Sequence, residues 1–344
     1  MTPDRIDYEA IERAGNIIRS GGLVAFPTET VYGLGGDALN PEASAKIYAA
    51  KGRPSDNPLI VHIADMEHLA AVTNGIPQGA EALAERLWPG PLTMIFERSD
   101  AVPYETTGGL ETVAVRMPSN PIAAALIRAS GGYIAAPSAN ISGRPSPTIA
   151  EHVIEDLDGR VDMIIDGGAA DIGLESTIID FTEDTPMILR PGFITPGTLR
   201  EILGDVKIDP GITDSAAMTG RRPKAPGMRY RHYAPKAQLF IVEGGEDAVT
   251  NKIGELVRKA ADDGLKTGVI AADETKDRYH ADIVIGIGSR KSEETIARHL
   301  FRVLRDMDEA GADVIYSESF DTPRMGMAIM NRLLKAAGHQ VLTA

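Results

Sequence analysis

Residues 206–236 interrupt a chain whose other segments have the apolar periodicity of helices and strands. This segment is rich in Pro, Gly, Ser and Thr and holds 7 basic and 2 acidic side chains, a net charge of +5. Residues 1–205 hold 14 basic and 29 acidic side chains, and residues 237–344 hold 14 and 18. A stretch this long without regular structure is unusual inside one domain. The sequence therefore predicts two acidic domains, 1–205 and 237–344, joined by a basic linker at 206–236.

The first predicted domain contains strands that often follow one another without a helix between them. Asp7 can cap a helix that ends at Gly21-Gly22, and Pro41 begins a second helix. Further helices are predicted at 77–87, 122–129, 149–157 and 196–203, and strands at 23–26, 59–63, 92–96, 112–115, 133–136, 163–165, 176–179 and 187–189. Consecutive strands favour a mixed α/β sheet. The segment 27–38, which follows the first strand, is interpreted as a Gly-rich turn.

In the second predicted domain, strands alternate with helices. Strands are predicted at 239–242, 267–271, 283–287 and 314–317, and helices at 246–261, 292–310 and 324–337. This order is typical of a small parallel sheet of Rossmann-like topology. No GxGxxG follows the first of these strands, so we do not predict a dinucleotide site.

The composition excludes several classes of function. There is no Cys, hence no disulfide, thiol nucleophile or zinc finger, and the 7 His residues form no ligand pair. No apolar run is long enough to span a membrane, and the N-terminus lacks a signal pattern, so a cytoplasmic protein is expected. A net charge of −14 argues against broad nucleic-acid binding. Neither a P-loop nor a GxSxG motif is present.

Polar side chains recur where predicted strands begin or end. Each has an ordinary explanation by itself: Arg116 or Arg190 can be a structural ion pair, and His62 a hydrogen-bonded core residue. Their joint occurrence in one domain favours a ligand crevice at the strand ends. Arginine forks suit carboxylate or phosphate, so the substrate is expected to be anionic.

Seven blocks, in order, resemble one family. These are PTETVYGLGGDA, KGRPSDNPLIVHI, WPGPLTMIF, TVAVRMP, APSANISGRPSP, ESTIID and LRPG. Together they resemble the YrdC-like domain of threonylcarbamoyl-AMP synthases over residues 10–205. The basic strip PGMRYRHYAP and the tail resemble the two-domain long form. The resemblance implies a twisted mixed sheet with a basic concave cavity, plus a smaller C-terminal Rossmann-like parallel α/β domain.

The resemblance also implies a reaction. Such enzymes form L-threonylcarbamoyl-AMP and pyrophosphate from L-threonine, bicarbonate or CO2, and ATP. Partner proteins then pass the threonylcarbamoyl group to adenosine 37 of tRNAs that read codons beginning with A. Mg²⁺ is expected to be bound through the phosphates, with no metal held by protein side chains. A weak contact with tRNA and no contact with a membrane are expected.

Carried over residue by residue, the family's sites fall on defined positions. Threonine would be held by Thr30, His62, Arg116, the backbone of Ala136, and Ser176. ATP would be held by Arg53, Asn57, Thr112, Ser138, Ser146, Arg190 and Tyr230. Lys51 would be a further phosphate contact, and Lys51 and Arg53 are the electrostatic candidates for catalysis.

The reaction needs no enzyme nucleophile, because positioning and neutralising two anions does most of the work. It also requires the exclusion of water. The strip 224–237 is therefore predicted to be a lid, with Arg229 and Arg231 meeting phosphate. Pro226-Gly227 and Pro235 would act as its hinge and stop.

Two alternatives remain at the level of sequence. One is a carbamoyl transferase of hydrogenase maturation. Those larger proteins add zinc fingers, which a chain without Cys cannot form, and an acylphosphatase-like domain, for which no such extension is expected here. The other is a double-stranded RNA-binding module without catalysis, against which the net charge of −14 argues.

Overall fold

The structure is a computed structural model that describes residues 1–212, 223–226 and 233–344. The described chain divides into two compact units. The first comprises residues 1–142, 146–171, 175–212 and 223–226, and the second comprises residues 143–145, 172–174 and 233–344. No helix within the described ranges is both long and apolar enough to cross a membrane.

Local capping explains where the helices of the first unit begin. Asp7 accepts a hydrogen bond from the Ala10 amide, and Asn40 accepts one from Glu42, so both satisfy amides that the helix leaves free. The helices are α1 Tyr8–Arg19, α2 Pro41–Lys51, α3 Leu69–Val72, α4 Gln78–Leu87, α5 Pro121–Ala129, α6 Ala150–Leu157 and α7 Pro196–Leu203.

The first unit is built on one mixed ten-stranded sheet of order β10-β9-β8-β4-β5-β3-β6-β2-β1-β7. Its strands are β1 Val24–Phe26, β2 Gly33–Asp37, β3 Ile60–His62, β4 Leu92–Glu97, β5 Thr112–Arg116, β6 Ile134–Ala136, β7 Met163–Ile164, β8 Thr177–Asp180, β9 Met187–Arg190 and β10 Lys207–Ile208. The pairs β3–β5 and β4–β8 are parallel, whereas β4–β5 and β3–β6 are antiparallel. The predicted mixed α/β sheet is confirmed.

Two of these strands were not predicted. The segment interpreted as a Gly-rich turn contains β2, an interior strand that pairs with β1 and β6 and lies third from one edge of the sheet. Glycine lowers strand propensity, but here it permits close packing. A Cβ added at Gly35 would lie 2.7 Å from Ile134 Cγ2. The turn prediction was therefore wrong for Gly33–Asp37.

The other unpredicted strand, β10, lies inside the predicted linker. Lys207 and Ile208 pair in parallel with Met187 and Ile188 of β9. Two residues are too short a run to leave a periodic signal, so only the pairing reveals this strand. The structured part of the chain thus extends into the segment 206–236.

The sheet has one fully covered face and one partly covered face. Helices α2, α4, α6 and α7 pack on the first face, over a core that includes Val61, Met94, Val115 and Ile179. On the second face, α1 and α5 cover the end formed by β1, β2 and β6. The rest of that face, along β3, β5, β4 and β8, has a floor of Ile60, Ala114, Ile95 and Ile178. We call this the open half of the sheet.

The second unit is a five-stranded parallel sheet of order β13-β12-β14-β11-β15. Its elements are β11 Gln238–Glu243, α8 Glu246–Asp262, β12 Thr267–Ala271, β13 Ile283–Gly286, α9 Glu293–Glu309, β14 Val314–Glu318, α10 Gly326–Ala336 and β15 Val341–Thr343. The predicted parallel α/β organisation is confirmed. The short strand β15 was not predicted.

Candidate active site

Three polar residues lie side by side on the open half of the sheet. Thr93 of β4 is the cross-strand partner of Arg116 of β5, and Arg116 is the partner of His62 of β3. Cross-strand partners point to the same face about 4.5–5.5 Å apart. Their apolar neighbours Val115 and Val61 face the covered core. Side-chain alternation thus brings together His62 and Arg116, two of the residues that were predicted to bind threonine.

Arg116 also joins this row to the chain that follows β1. Its Nη1 donates to Thr30 Oγ1 at 2.9 Å, and its Nη2 lies 2.7 Å from Glu29 Oε1. Thr30 in turn lies 2.9 Å from Thr28 Oγ1. All four side chains are buried. Thr30, which was also predicted to bind threonine, is therefore in direct contact with Arg116.

Glu29 is a site residue that the sequence did not single out. Its side chain is only 6% exposed, and neither of its carboxylate oxygens has a hydrogen-bond partner among the described residues. The Arg116 contact is therefore an ion pair without hydrogen-bond alignment. A buried carboxylate with unused acceptors is costly unless a ligand completes its bonding. In the sequence, Glu29 lies inside the block PTETVYGLGGDA, beside the predicted Thr30, but no role was assigned to it.

His62 is held neutral. Its Nδ1 donates to the Ile60 carbonyl at 3.0 Å, and its ring meets that of Phe26 edge-on with centroids 6.2 Å apart. Burial, and then the positive charge of Arg116, lower the pKa of His62 to about 3. The imidazole is therefore uncharged at neutral pH, and it adds no positive charge to the site.

Ser176 and Arg190 extend the row beyond β4. Ser176 Oγ lies 2.7 Å from Thr93 Oγ1. Arg190 donates from Nη2 to Ser176 Oγ at 3.1 Å and from Nε to the Ser176 carbonyl at 3.0 Å. A shift of register between β8 and β9 pairs Arg190 with Ile178, a residue of the open half. This irregularity places the guanidinium beside Ser176.

The described start of the basic strip lies on the open half of the sheet. Arg190 Nη1 donates to the Pro226 carbonyl at 3.2 Å, and Ala225 packs in the cluster of floor residues. Lys224 Nζ donates to Asp180 at 3.0 Å and to Glu183 at 2.7 Å. Burial lowers the pKa of Lys224, but the hydrogen bonds to the two carboxylates outweigh it and raise that pKa overall. Residues 223–226 are thus held on the sheet by the hydrogen bonds of Lys224 and Pro226 and by the apolar packing of Ala225.

A second group of predicted residues lies on the loops after α2 and β6. Lys51 Nζ donates to the carbonyls of Ser138, at 2.5 Å, and of Asn140. Ser138 Oγ donates to Asn140 Oδ1 at 2.6 Å. The buried lysine therefore draws the Ser138 loop against the end of α2.

Arg53 and Asn57 belong to the turn that leads into β3. Arg53 donates from Nε to the Asn57 carbonyl at 3.2 Å and from Nη2 to the Pro58 carbonyl at 3.0 Å. Asn57 Oδ1 is buried and lacks a hydrogen-bond partner among the described residues. The arginine thus fixes the turn, and an amide oxygen remains available to a ligand.

The remaining predicted residues are more scattered. Thr112 begins β5 and is four residues, or about 13 Å, from Arg116 at its end. Ala136 pairs with Ile60 at the start of β3, whereas His62 ends that strand. Ser146 Oγ donates to the carboxylate of Glu175 at 2.6 Å. Tyr230, Arg229 and Arg231 lie outside the described residues.

Most of the predicted site residues within the described ranges therefore form two groups. One surrounds Arg116 and contains Thr30, His62, Thr93, Ser176 and Arg190. The other lies towards the opposite ends of β3 and β5 and contains Arg53, Asn57, Thr112, Ser138 and Lys51. Across residues 1–212, 223–226 and 233–344, no group of three or more His, Asp or Glu side chains is placed to hold a metal ion.

Comparison with known proteins gives the family. Residues 16–192 match the Sua5, YciO and YrdC family, described as "Telomere recombination". Residues 194–338 match the family described as "Threonylcarbamoyl-AMP synthase, C-terminal domain". The chain belongs to the two-domain Sua5 family. The family resemblance seen in the sequence is thereby confirmed.

Members of the Sua5 family from distant organisms are similar over nearly their full length. The threonylcarbamoyl-AMP synthase of Pyrococcus abyssi is 50% identical over 98% of this chain and 97% of its own. That of Bacillus subtilis is 49% identical over 96% and 94%. The structure of P. abyssi Sua5 complexed with L-threonine has a TM-score of 0.93 at 50% identity and covers 99% of this chain and 97% of its own.

Proposed function

We propose that this protein is a threonylcarbamoyl-AMP synthase. It forms L-threonylcarbamoyl-AMP and pyrophosphate from L-threonine, bicarbonate or CO2, and ATP. The observation that carries the proposal is the similarity to enzymes of this name over nearly the whole of both domains. The buried group around Arg116 supplies the polar contacts that an amino acid requires.

Arg116 and Glu29 are proposed to bind the two charges of threonine. The Arg116 guanidinium pairs with the carboxylate, and the unused oxygens of Glu29 accept the ammonium hydrogens. Thr30, Ser176 and the backbone of Ala136 complete the contacts, and neutral His62 packs beside them. Because the pair is buried, each interaction with the substrate is strengthened by the low local dielectric.

Carbamate formation follows from the same arrangement. The ammonium must lose a proton before the amine lone pair can add to CO2, and the nitrogen of the adduct then loses a second proton to water to give the carbamate. Glu29 is the buried base that would contact it, whereas His62 with a pKa of about 3 is too weak a base at neutral pH. A carbamate oxygen then attacks the α-phosphorus of ATP, and the bond to the β-phosphate breaks to release pyrophosphate. The step transfers AMP and leaves no covalent enzyme intermediate.

ATP is proposed to bind along the second group. Arg53, Asn57, Thr112 and Ser138 provide donors and acceptors, and Lys51 adds positive charge beside the phosphates. Ser146, which lies outside the second group and donates to Glu175, is proposed as a further ATP contact. Arg190 lies on the threonine side of the site, where it can stabilise charge on the phosphate under attack. Mg²⁺ is proposed to arrive with ATP as part of the substrate, bound to its phosphates.

The basic strip is proposed to close over the two substrates. The contacts of Lys224, Ala225 and Pro226 bring the chain to the open half of the sheet immediately before the strip's two arginines and Tyr230. Closure would keep water from the carbamate and the mixed anhydride.

The product is proposed to supply the tRNA-modifying machinery of the cytoplasm. A mixed anhydride is short-lived in water, so a threonylcarbamoyl transferase must consume it soon after release. We propose that residues 1–205 carry the catalysis, 206–236 the lid, and 237–344 a supporting domain.

Pyrophosphate release tests the proposed function. Purified full-length protein with L-threonine, bicarbonate and ATP-Mg²⁺ is expected to release pyrophosphate, and omission of either threonine or bicarbonate is expected to abolish release. No release with all substrates present would overturn the enzyme proposal. Tight binding of short double-stranded RNA at physiological salt, without turnover, would favour the RNA-binding alternative instead.

A further inference from the structure

The neighbouring strands β11 and β14 of the second unit are followed by connections that run in opposite directions along the sheet. From β11 the chain passes β14 through α8 to reach β12, and from β14 it passes β11 through α10 to reach β15. Crossovers between parallel strands are right-handed, so these two helices lie on opposite faces of the sheet. The carboxyl ends of β11 and β14 therefore flank a topological switch point, where open parallel sheets bind ligands.

A cavity of about 220 Å³ lies at this switch point. It is lined by Gly244, Glu246, Val249, Arg290, Glu318 and Ser319. Gly244 directly follows β11, and Ser319 directly follows β14. The cavity is smaller than the roughly 300–1,000 Å³ of sites for drug-sized molecules. It is therefore suited to a small ligand or to the charged group of a larger one.

Arg290 presents a fixed positive charge to this cavity. Its Nη2 donates to Glu318 Oε2 at 2.8 Å and its Nη1 to the Ser319 carbonyl at 2.9 Å, and its guanidinium carbon lies 5.2 Å from the centroid of the Phe320 ring. A guanidinium has five N–H donors. Within the described residues these two contacts use two of them, and the side chain is 33% exposed. Donors therefore remain for a ligand.

The carboxylate of Glu318 positions this arginine. Thr275 Oγ1 donates to it at 2.5 Å, Tyr279 OH at 2.7 Å and the Ala272 amide at 3.0 Å. Burial, and then the hydrogen bond to Glu318, raise the pKa of Tyr279. With the bond from Arg290, the buried carboxylate of Glu318 accepts four hydrogen bonds and is satisfied. Glu318 is thus committed to holding Arg290 and is not a free ligand for a cation.

The first turn of α8 forms another wall of the cavity. Gly245 at its N-cap has no side chain to accept hydrogen bonds, and the Val249 amide makes the first i→i−4 bond of the helix, to the Gly245 carbonyl at 2.9 Å. The carboxylates of Glu246 and Asp247 are held by Arg278, at 3.1 and 2.6 Å. The helix start therefore adds partial positive charge to that of Arg290.

We propose that this cavity binds a tetrahedral oxyanion, either free phosphate or the phosphate of a small metabolite. The Arg290 fork and the first amides of α8 would share its oxygens. The site lies wholly within the second unit, and it does not depend on the proposed synthase activity.

Phosphate binding by the full-length protein tests this proposal. Isothermal titration calorimetry with orthophosphate at low ionic strength is expected to show a site whose affinity falls at least tenfold in Arg290→Gln. Arg258→Gln removes the same charge from an exposed position on α8 and is expected to match the unsubstituted protein. Phosphate bound at the candidate active site would be a separate class that Arg290→Gln leaves unchanged.

Arg290→Gln also removes the ion-pair partner of buried Glu318, so a second variant tests the site while leaving that pair intact. An added Cβ at Gly245 meets nothing within 4 Å, and the backbone there, with φ −69° and ψ 149°, suits an N-cap side chain. Gly245→Asp is expected to cap α8, raise Tm and abolish phosphate binding. Full affinity in Gly245→Asp, an equal loss in Arg258→Gln, or no saturable site in the unsubstituted protein would each overturn the proposal. Tighter binding of glycerol 3-phosphate than of orthophosphate would identify a phosphorylated metabolite as the ligand. Equal binding of the two would identify free phosphate as the ligand.

Discussion

Arg116 Nη2 lies 2.7 Å from Glu29 Oε1, with the two side chains 5% and 6% exposed. The two residues are 87 positions apart in sequence, yet they form the one ion pair at the centre of the open half of the sheet among the described residues. Opposite charges this close are complementary to a zwitterion, whose carboxylate and ammonium are also adjacent.

Arg116→Lys is expected to raise the KM for threonine about 10- to 100-fold, because a lysine keeps the charge but loses the fork. The KM for ATP should change less than threefold. Steady-state pyrophosphate release with each substrate varied measures both. Arg128→Lys, on the exposed surface of α5, is the matched control. A larger effect on ATP than on threonine would contradict the assignment.

Arg53→Ala is expected to give the converse result. Its loss frees the turn at Asn57 and removes positive charge from the second group, so the KM for ATP should rise at least tenfold. The KM for threonine should remain near that of the unsubstituted protein. Unchanged nucleotide affinity, measured by titration with a non-hydrolysable ATP analogue, would exclude Arg53 from the ATP site.

Glu29→Gln is expected to lower kcat/KM for threonine by roughly 10- to 1,000-fold, since it replaces the charged acceptor of the ammonium by a neutral amide and removes the proposed base. The amide keeps the shape of the side chain, so the thermal midpoint should fall by only a few degrees. Glu12→Gln on the exposed side of α1 serves as its control. If Glu29→Gln retained full activity across the pH range, the base would have to lie elsewhere.

The depressed pKa of His62 predicts a loss of stability in acid. The pKa is about 3 in the folded protein and 6.5 in the unfolded reference, so between these values the unfolded chain binds the extra proton. Stability therefore falls as pH falls below 6.5, by about 1.4 kcal/mol per pH unit from this residue, or about 2 kcal/mol between pH 7 and pH 5.

Urea denaturation at pH 7 and pH 5 measures this difference. His62→Gln should reduce the loss of stability on going to pH 5, because glutamine has no proton to gain. His280→Gln, at an exposed position, should leave the difference unaltered. Equal pH dependence in the protein with and without His62 would refute the burial argument.

Ala225→Asp is expected to displace the start of the strip from the sheet. Ala225 is fully buried against the apolar floor, so a carboxylate there would have to leave it for water. Pyrophosphate release should fall at least tenfold, and the KM for ATP should rise. Ala101→Asp, on the exposed surface, should leave both unchanged. Normal activity in Ala225→Asp would show that the proposed lid does not depend on this anchor.

Most helices and strands could be predicted from the sequence because their signals are local. Asp7 and Asn40 cap helices within three residues, and alternating or continuous apolar runs mark β4 and β5. The order of polar blocks along the chain was also enough to indicate the family. These properties depend on neighbours in sequence, and a single sequence contains them.

Only the tertiary structure decided which of these residues meet. The Gly-rich strand β2 forms because β1 and β6 pair with it, and β10 forms because β9 does. Glu29 becomes a site residue only when β5 brings Arg116 beside it, and Arg190 reaches Ser176 through an irregular β8–β9 pairing. Such contacts join residues far apart in sequence, and their energy comes from burial and pairing that no local pattern records.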